Sequence, residues 1–321
     1  MIRRRLCSGA AALALAVPLA GCVTVHGERA SIPSVRPAEA ARVLAHFAAV
    51  SNAAARAYDP APVTGIEAGP LGAIDEAGLR ANHAVRPAGD AAYAPLVFSD
   101  PRFLIPRQIG WPKFFVADTA VNRGTDARWL LVFRRAAADR PWKADFLAAP
   151  AAGALPAMAA DRHGNAVAVP AAGTDLLVQP GQAAASYADY LQQGAGAVFA
   201  GGPSTSELRA AREEHARTPD SVTQYADQPA QGGDFDPVAL RTKDGGALVF
   251  FGTRHQSRAT YRAGHRLAID PDTQALMTGT PRTSVTLSTV GQQLVAVPRA
   301  GGTAQVAFLS RIIGLVGAKG A

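Results

Sequence analysis

The residue with the most suggestive surroundings for chemistry is Cys22. It follows Leu19, Ala20 and Gly21 at the end of an apolar run from Leu6 through Leu19, which is itself preceded by Arg3, Arg4 and Arg5. A basic start stays at the cytoplasmic face, a short apolar run enters the bilayer, and small residues leave room for a peptidase. A thiol at the end of such a segment is placed for acylation. Elsewhere the usual signatures of nucleophilic catalysis are missing: there is no GxSxG turn and no SxxK, and the other cysteine, Cys7, lies inside the apolar run. His26, His46, His83, His163, His215, His255 and His265 are scattered without an HExxH, so no metal or cofactor is expected, although His255 and His265 fall where neighbouring strands could carry them. Asp234-Phe235-Asp236 and Asp270-Pro271-Asp272 open like calcium loops but lack the glycine and distal glutamate, and read as turn carboxylates. Gly201-Gly202-Pro203-Ser204, with neither a preceding strand nor a lysine, reads as a flexible helix entry rather than an anion cradle.

Residues Met1 to Cys22 resemble a bacterial lipoprotein signal with its lipobox. The resemblance implies that the bond between Gly21 and Cys22 is cut, that Cys22 receives a diacylglyceryl group and becomes the first mature residue, and that Cys7 is discarded. The apolar run, about 14 residues, is shorter than the roughly 20 that span a bilayer. Two acyl chains hold a protein stably where one is marginal. The expected location is therefore the cell membrane, lipid-anchored and facing outside the cytoplasm, with the polar stretch from Val23 to Arg36 as a tether. The net charge of +7 falls to 7 − 3 = +4 once Arg3, Arg4 and Arg5 are removed. Of 32 basic residues only Lys113, Lys143, Lys243 and Lys319 are lysine, and alanine exceeds a fifth of the chain, so the arginines reflect composition. No nucleic-acid partner is expected.

The remainder must supply a core by burial alone, being 48% apolar with no cysteine framework. A helix is predicted from Pro37 to Asp59-Pro60, with Val43, Phe47, Val50, Ala54 and Tyr58 as its apolar stripe, and a shorter one from Asp75 to Val85. Short β-rich runs follow at Leu96–Phe98, Phe103–Ile105, Phe114–Val116, Trp129–Phe133 and Ala144–Leu147, separated by turn residues, as in an antiparallel meander. From Ala149 to Gly173 alanine, proline and glycine dominate, around a turn at Asp161–Asn165. The order then starts again: helices at Ala183–Gln193 and Ser206–Ala216, capped by Ser204 or Thr205, then strands at 247–251, 259–261, 266–269, 284–288, 294–297 and 305–309. Arg299-Ala300-Gly301-Gly302 supplies a hairpin turn between the last two.

Helices before a sheet, twice, give an α+β fold of two tandem domains: signal 1–21, tether 22–36, first domain 37–150, a linker with a hairpin at 151–180, and second domain 181–321. Each half resembles the cystatin-like cone of the nuclear transport factor-like superfamily, helices packed on a curved antiparallel sheet. Leu71–Asp75, Trp111–Ala117, Arg241–Gly246 and the stretch from Cys22 to Glu28 are similar to words in a family of uncharacterised actinobacterial lipoproteins, a resemblance that brings no activity with it. A cone implies an apolar mouth, for which Trp111, Trp129, Trp142, Phe114, Phe115 and Phe133 are the aromatic candidates. A catalytic cone needs a carboxylate with a tuned pKa, and Asp118 and Asp145 are the strand carboxylates that qualify by position. With no catalytic constellation in the sequence, the expectation is a non-enzymatic binding or scaffold module whose partner is an envelope protein or an apolar ligand. An isomerase- or cyclase-like enzyme and a solute-binding transporter component are the alternatives.

Overall fold

Pro37 opens the first helix because its fixed φ suits a first turn and Glu39 sits at the favoured acidic end. The computed structural model describes residues 30–124, 127–194 and 198–321, so Gly21 and Cys22 lie outside the described residues. The first half runs β1 (Ile32–Pro33), α1 (Pro37–Ala57), α2 (Val63–Ile66), α3 (Gly69–Val85), β2 (Phe98–Leu104), β3 (Arg107–Gln108), β4 (Lys113–Val121), β5 (Arg128–Arg135) and β6 (Lys143–Ala148). The second runs α4 (Ala183–Gln193), α5 (Ser206–His215), β7 (Ser221–Ala230), β8 (Val238–Arg241), β9 (Ala247–Tyr261), α6 (Pro271–Ala275), β10 (Met277–Gly279), β11 (Ser284–Val297) and β12 (Ala307–Gly320). Both helices and sheets are present, an α+β chain.

The first sheet has the antiparallel order β2-β4-β5-β6. The second has the order β10-β12-β11-β9-β7, with β7 and β8 taking successive lengths of the same edge of β9. Alternation along the strands explains how these sheets stack. Phe115, Ala117, Leu131 and Phe133 point to α1, where they meet Ala40, Leu44 and Phe47. Their neighbours Phe114, Val116, Leu130 and Val132 point the other way and pack against Leu240, Leu248, Phe250 and Leu294 of the second sheet. On the far side of that sheet Val249, Phe251, Val295 and Val297 meet Tyr187 and Leu191 of α4. The order of layers is helix, sheet, sheet, helix. Strands covered on both faces read as unbroken apolar runs.

Several sequence expectations are refined. The buried stripe of α1 runs through Ala40, Leu44, Phe47 and Ala54, with Val43 and Val50 at its margin. α3 begins at Gly69, six residues earlier than Asp75, with Pro70 in its first turn; Gly69 itself adopts φ +55° and lies so close to the Asp234 carbonyl that no Cβ would fit. The runs at 247–251 and 259–261 are one strand, as are those at 284–288 and 294–297. Residues 266–269 form no strand, since none of the sheet edges reaches them. β11 and β12 are antiparallel partners across the segment containing Arg299–Gly302.

The alanine-rich stretch is docked rather than free. Its turn closes by the pairing of Ala160 with Ala166. Beyond it Arg241 N donates to Val167 O at 2.8 Å and Val169 N to Ala239 O at 2.9 Å, extending the edge of β8. α3 bridges the halves, packing on β6 and on β12.

Candidate functional site

Asp118 and Asp145 sit on β4 and β6 as expected, and each is committed to an arginine. Arg128 Nε donates to Asp118 Oδ1 at 2.6 Å near the strand end. Asp145 is sealed, its side chain 1% exposed, with Arg134 Nε 2.6 Å from Oδ2. Burial pushes the Asp145 carboxyl up to about 7, with the Arg134 charge pulling against it. Arg134 also donates to the carbonyls of Gly233 and Asp236 at 2.9 and 2.6 Å, so this pair ties the halves together.

His255 lies on β9, but His265 falls in the loop after it, stacked on Tyr261 at 5.1 Å, and the two histidines are not brought together. His255 instead joins a network that the sequence did not reveal. Its Nδ1 faces Asp227 Oδ1 at 2.5 Å and its Nε2 faces Thr253 Oγ1 at 2.7 Å. Asp227 also accepts a two-pronged bond from Arg212, at 2.8 and 3.0 Å. Burial drives the Asp227 carboxyl up, but the bonds from His255 and Arg212 outweigh it and hold the group below its usual range. A hydroxyl, an imidazole and a carboxylate in this order have the connectivity of a nucleophilic relay. Thr253, however, is completely buried and its hydroxyl also accepts from Gln293 Nε2 at 2.9 Å. The hydroxyl end of the network is sealed inside the protein, and only its other end, Arg212 and Asp227, borders an open cleft of about 370 Å³ beside α5. The only sequence signal for it was the two-residue spacing of Thr253 and His255, which puts both on one face of a strand opposite Asp227.

A second pair that the sequence hid is at the start of α3. Glu67 is 3% exposed, neither of its oxygens makes a well-formed hydrogen bond, and the group facing it is the Asp75 carboxyl. Burial, reinforced by the charge of Asp75, pushes Glu67 up to about 9, and burial raises Asp75 to about 6. The two titrate as a pair, with Glu67 holding the proton at neutral pH. Glu67 stands between an open cleft of about 490 Å³ bounded by Lys143 and Phe235 and another of about 290 Å³ reached by Asp75 and Asn82. Only the order of carboxylates around a helix start, Glu67 then Asp75, could have signalled it.

An apolar recess opens between α1 and the first sheet. Val43, Phe47, Ile66, Phe133 and Trp142 line a notch of about 240 Å³, with Glu39, Arg42 and His46 at its rim. Phe115 stacks on Phe133 at 5.0 Å and meets Trp142 edge-on at 5.1 Å, fixing the floor. Trp142 Nε1 donates to Glu39 Oε1 at 3.0 Å, which satisfies the indole and leaves its ring facing the notch. Of the aromatic candidates, Trp142 and Phe133 reach it; Phe114 faces the second sheet.

The remaining motifs are structural. Asp270 caps α6 by accepting from Thr273 N at 2.8 Å, and Asp236 accepts from Gly232 N at 2.9 Å, as turn carboxylates do. At the entry to α5 the Gly202 amide is taken by Ser206 Oγ at 3.1 Å, and Thr205 occupies the cap position with its hydroxyl bonded to the Ala200 carbonyl at 2.7 Å. Among the described residues no group of three or more His, Cys, Asp or Glu could hold a metal ion, and no helix is long and apolar enough to cross a membrane.

What these features define is an α+β protein of two stacked sheets with outer helices, its strongest charge pairs buried and an apolar notch open. The chain belongs to the family described as a domain of unknown function, DUF8094, whose profile matches residues 31–320, across both halves. It is 44% identical over 312 residues to an uncharacterized lipoprotein of Streptomyces avermitilis, covering 97% of this chain and 93% of that protein. An uncharacterized lipoprotein of Streptomyces coelicolor is 43% identical over the same length, covering 97% and 94%. A second from that organism is 26% identical over 282 residues, covering 83% and 78%. No solved structure matches the chain.

Proposed function

We propose that this protein is a lipoprotein anchored through Cys22 to the outer face of the cell membrane, built of two tandem cone-like α+β halves, and that it binds rather than catalyses. In this reading the α1 notch receives an apolar side chain of another envelope protein. The observation that carries it is the notch: an open, aromatic-floored recess with a polar rim, at about 240 Å³ below the roughly 300–1,000 Å³ of small-molecule sites. A recess of that size suits one anchoring side chain, the common unit of a protein interface. The lipoprotein names of the relatives support the anchor. Palmitate labelling tests it: label is expected in the wild type and lost in Cys22→Ala. The notch is tested in cells with a photo-crosslinking residue at His46. One discrete adduct is expected, abolished by Gly65→Leu, which fills the recess from α2; the same adducts from Arg262, just past the end of β9, would refute the site.

The Glu67–Asp75 pair supports a second reading, an isomerase- or cyclase-like enzyme using a protonated acid beside a carboxylate base. Its requirement is that Glu67 become reachable. Turnover of a carbonyl substrate that is abolished by Glu67→Gln would replace the binding reading with this one.

A further inference from the structure

We propose that the loop Ile109–Pro112 rests in the headgroup layer of the membrane that carries the anchor, on an anionic lipid surface; this rests on the lipoprotein reading above. Three observations converge on one end of the first sheet. First, the chain arrives there: Ile32 pairs with Gln108 and Pro33 with Arg107, so the segment leading from the anchor is stitched alongside the residues that start the loop. From Cys22 to Ile32 is ten residues, which reach about 35 Å at most when fully extended. The loop cannot stray further than that from the bilayer.

Second, the loop is apolar where it is most exposed. Ile109 is 65% exposed and Trp111 40%, beside Ile32 at 46%. Trp111 is held from within by two cations, Lys113 Nζ at 5.5 Å and Arg135 Cζ at 5.6 Å from its ring. A tryptophan fixed in this way suits the boundary between headgroups and acyl chains, where an amphipathic ring is at home. Third, the flank is basic. Besides the buried Lys113 and Arg134, the segments 30–40, 106–114 and 134–142 carry Arg36, Arg107, Arg135 and Arg140 against Glu39 and Asp139. Such a surplus is attracted to anionic lipid.

The test uses the mature lipid-anchored chain in vesicles whose acyl chains are brominated near the headgroup, with and without phosphatidylglycerol. Quenching of tryptophan fluorescence is expected in the wild type, stronger with phosphatidylglycerol and weakened by salt. It should be lost in Trp111→Phe, leaving the emission of Trp129 and Trp142. Ile109→Asp keeps all three tryptophans and should lose most of the quenching. Far-ultraviolet circular dichroism of both variants checks that they fold. Quenching that persists in Trp111→Phe overturns the proposal, as does a Trp111 open to an aqueous quencher in the anchored protein. A Trp111 shielded from both quenchers in proportion to protein density overturns it in favour of a second copy. Palmitate labelling of the same preparation separates failures: unlabelled protein defeats the anchor reading, whereas labelled protein without lipid quenching defeats this inference alone.

Discussion

Glutamine in place of Glu67 should make the protein more stable, and increasingly so as pH rises. Glu67 has an ordinary value of 4.5 in the unfolded chain and is raised to about 9 by burial in the fold. Between these values the folded chain holds a proton that the unfolded chain has released, so the stability linked to Glu67 is fully present below about 4.5 and is lost as pH rises toward 9. From about pH 5 to about pH 8 is roughly 3 pH units, about 4 kcal/mol at 1.36 kcal/mol per unit. Asp75 is raised as well, so the linkage belongs to the pair and about 4 kcal/mol is an upper bound for Glu67. The glutamine amide donates toward Asp75 as the protonated acid does, with no proton to take up. Urea unfolding of the mature chain at the two pH values should therefore show Glu67→Gln gaining on the wild type across the interval, by up to about 4 kcal/mol. Parallel pH profiles, or a variant less stable by the same amount at both, would refute the burial argument.

Asp227→Asn leaves the Arg212 guanidinium in a site where its side chain is 13% exposed, and should cost about 3–5 kcal/mol in urea unfolding; a loss below about 1 kcal/mol would mean the network is not structural. Because the wild-type Asp227 carboxyl is held below its ordinary 3.8, the stability it contributes is present above that value and lost as pH falls through the folded one. Gly314→Ala puts a Cβ into Ile74 on α3 and should cost about 1–3 kcal/mol, regained in an Ile74→Ala background; additive effects in the double-mutant cycle would contradict the contact. Limited proteolysis should spare residues 157–169, despite their loop-like composition, because the backbone at Ala157, Ala159, Val167 and Val169 is bonded to β8 and the turn after it; early cleavage there would mean that edge is loose.

Those residues also show where the sequence was legible. Strands β4 and β5 could be read from Phe114–Val116 and Trp129–Phe133 because burial on both faces makes the apolar signal continuous. Helix α4 has the predicted ends, since Gly194 stops it in the left-handed region at φ 68°. The long strands of the second sheet were cut into pieces because their outer portions leave the helix layer and turn half-polar, as in 254–261. β7, with mostly exposed residues, had no apolar run at all. The site was harder. Trp142 and Phe133 were among the aromatic candidates, but the partners that seal Asp145, Asp227 and Glu67 come from elements distant in sequence, and burial across such distances leaves no local pattern.

The same distant partners decide how the halves behave. Arg134 bonds the Gly233 and Asp236 carbonyls, Gln292 Oε1 accepts from Leu147 N at 2.7 Å, and Ser310 Oγ accepts from Ala149 N at 3.0 Å. Each bond joins the first sheet to the second half, at the margins of a core that both sheets share. Polar contacts of this kind contribute modestly to stability, but where they are covered a misplaced one leaves an unpaired group, so they penalise any sliding of one sheet over the other. Sliding the halves would break the Arg134 bonds and open the Glu67 junction together.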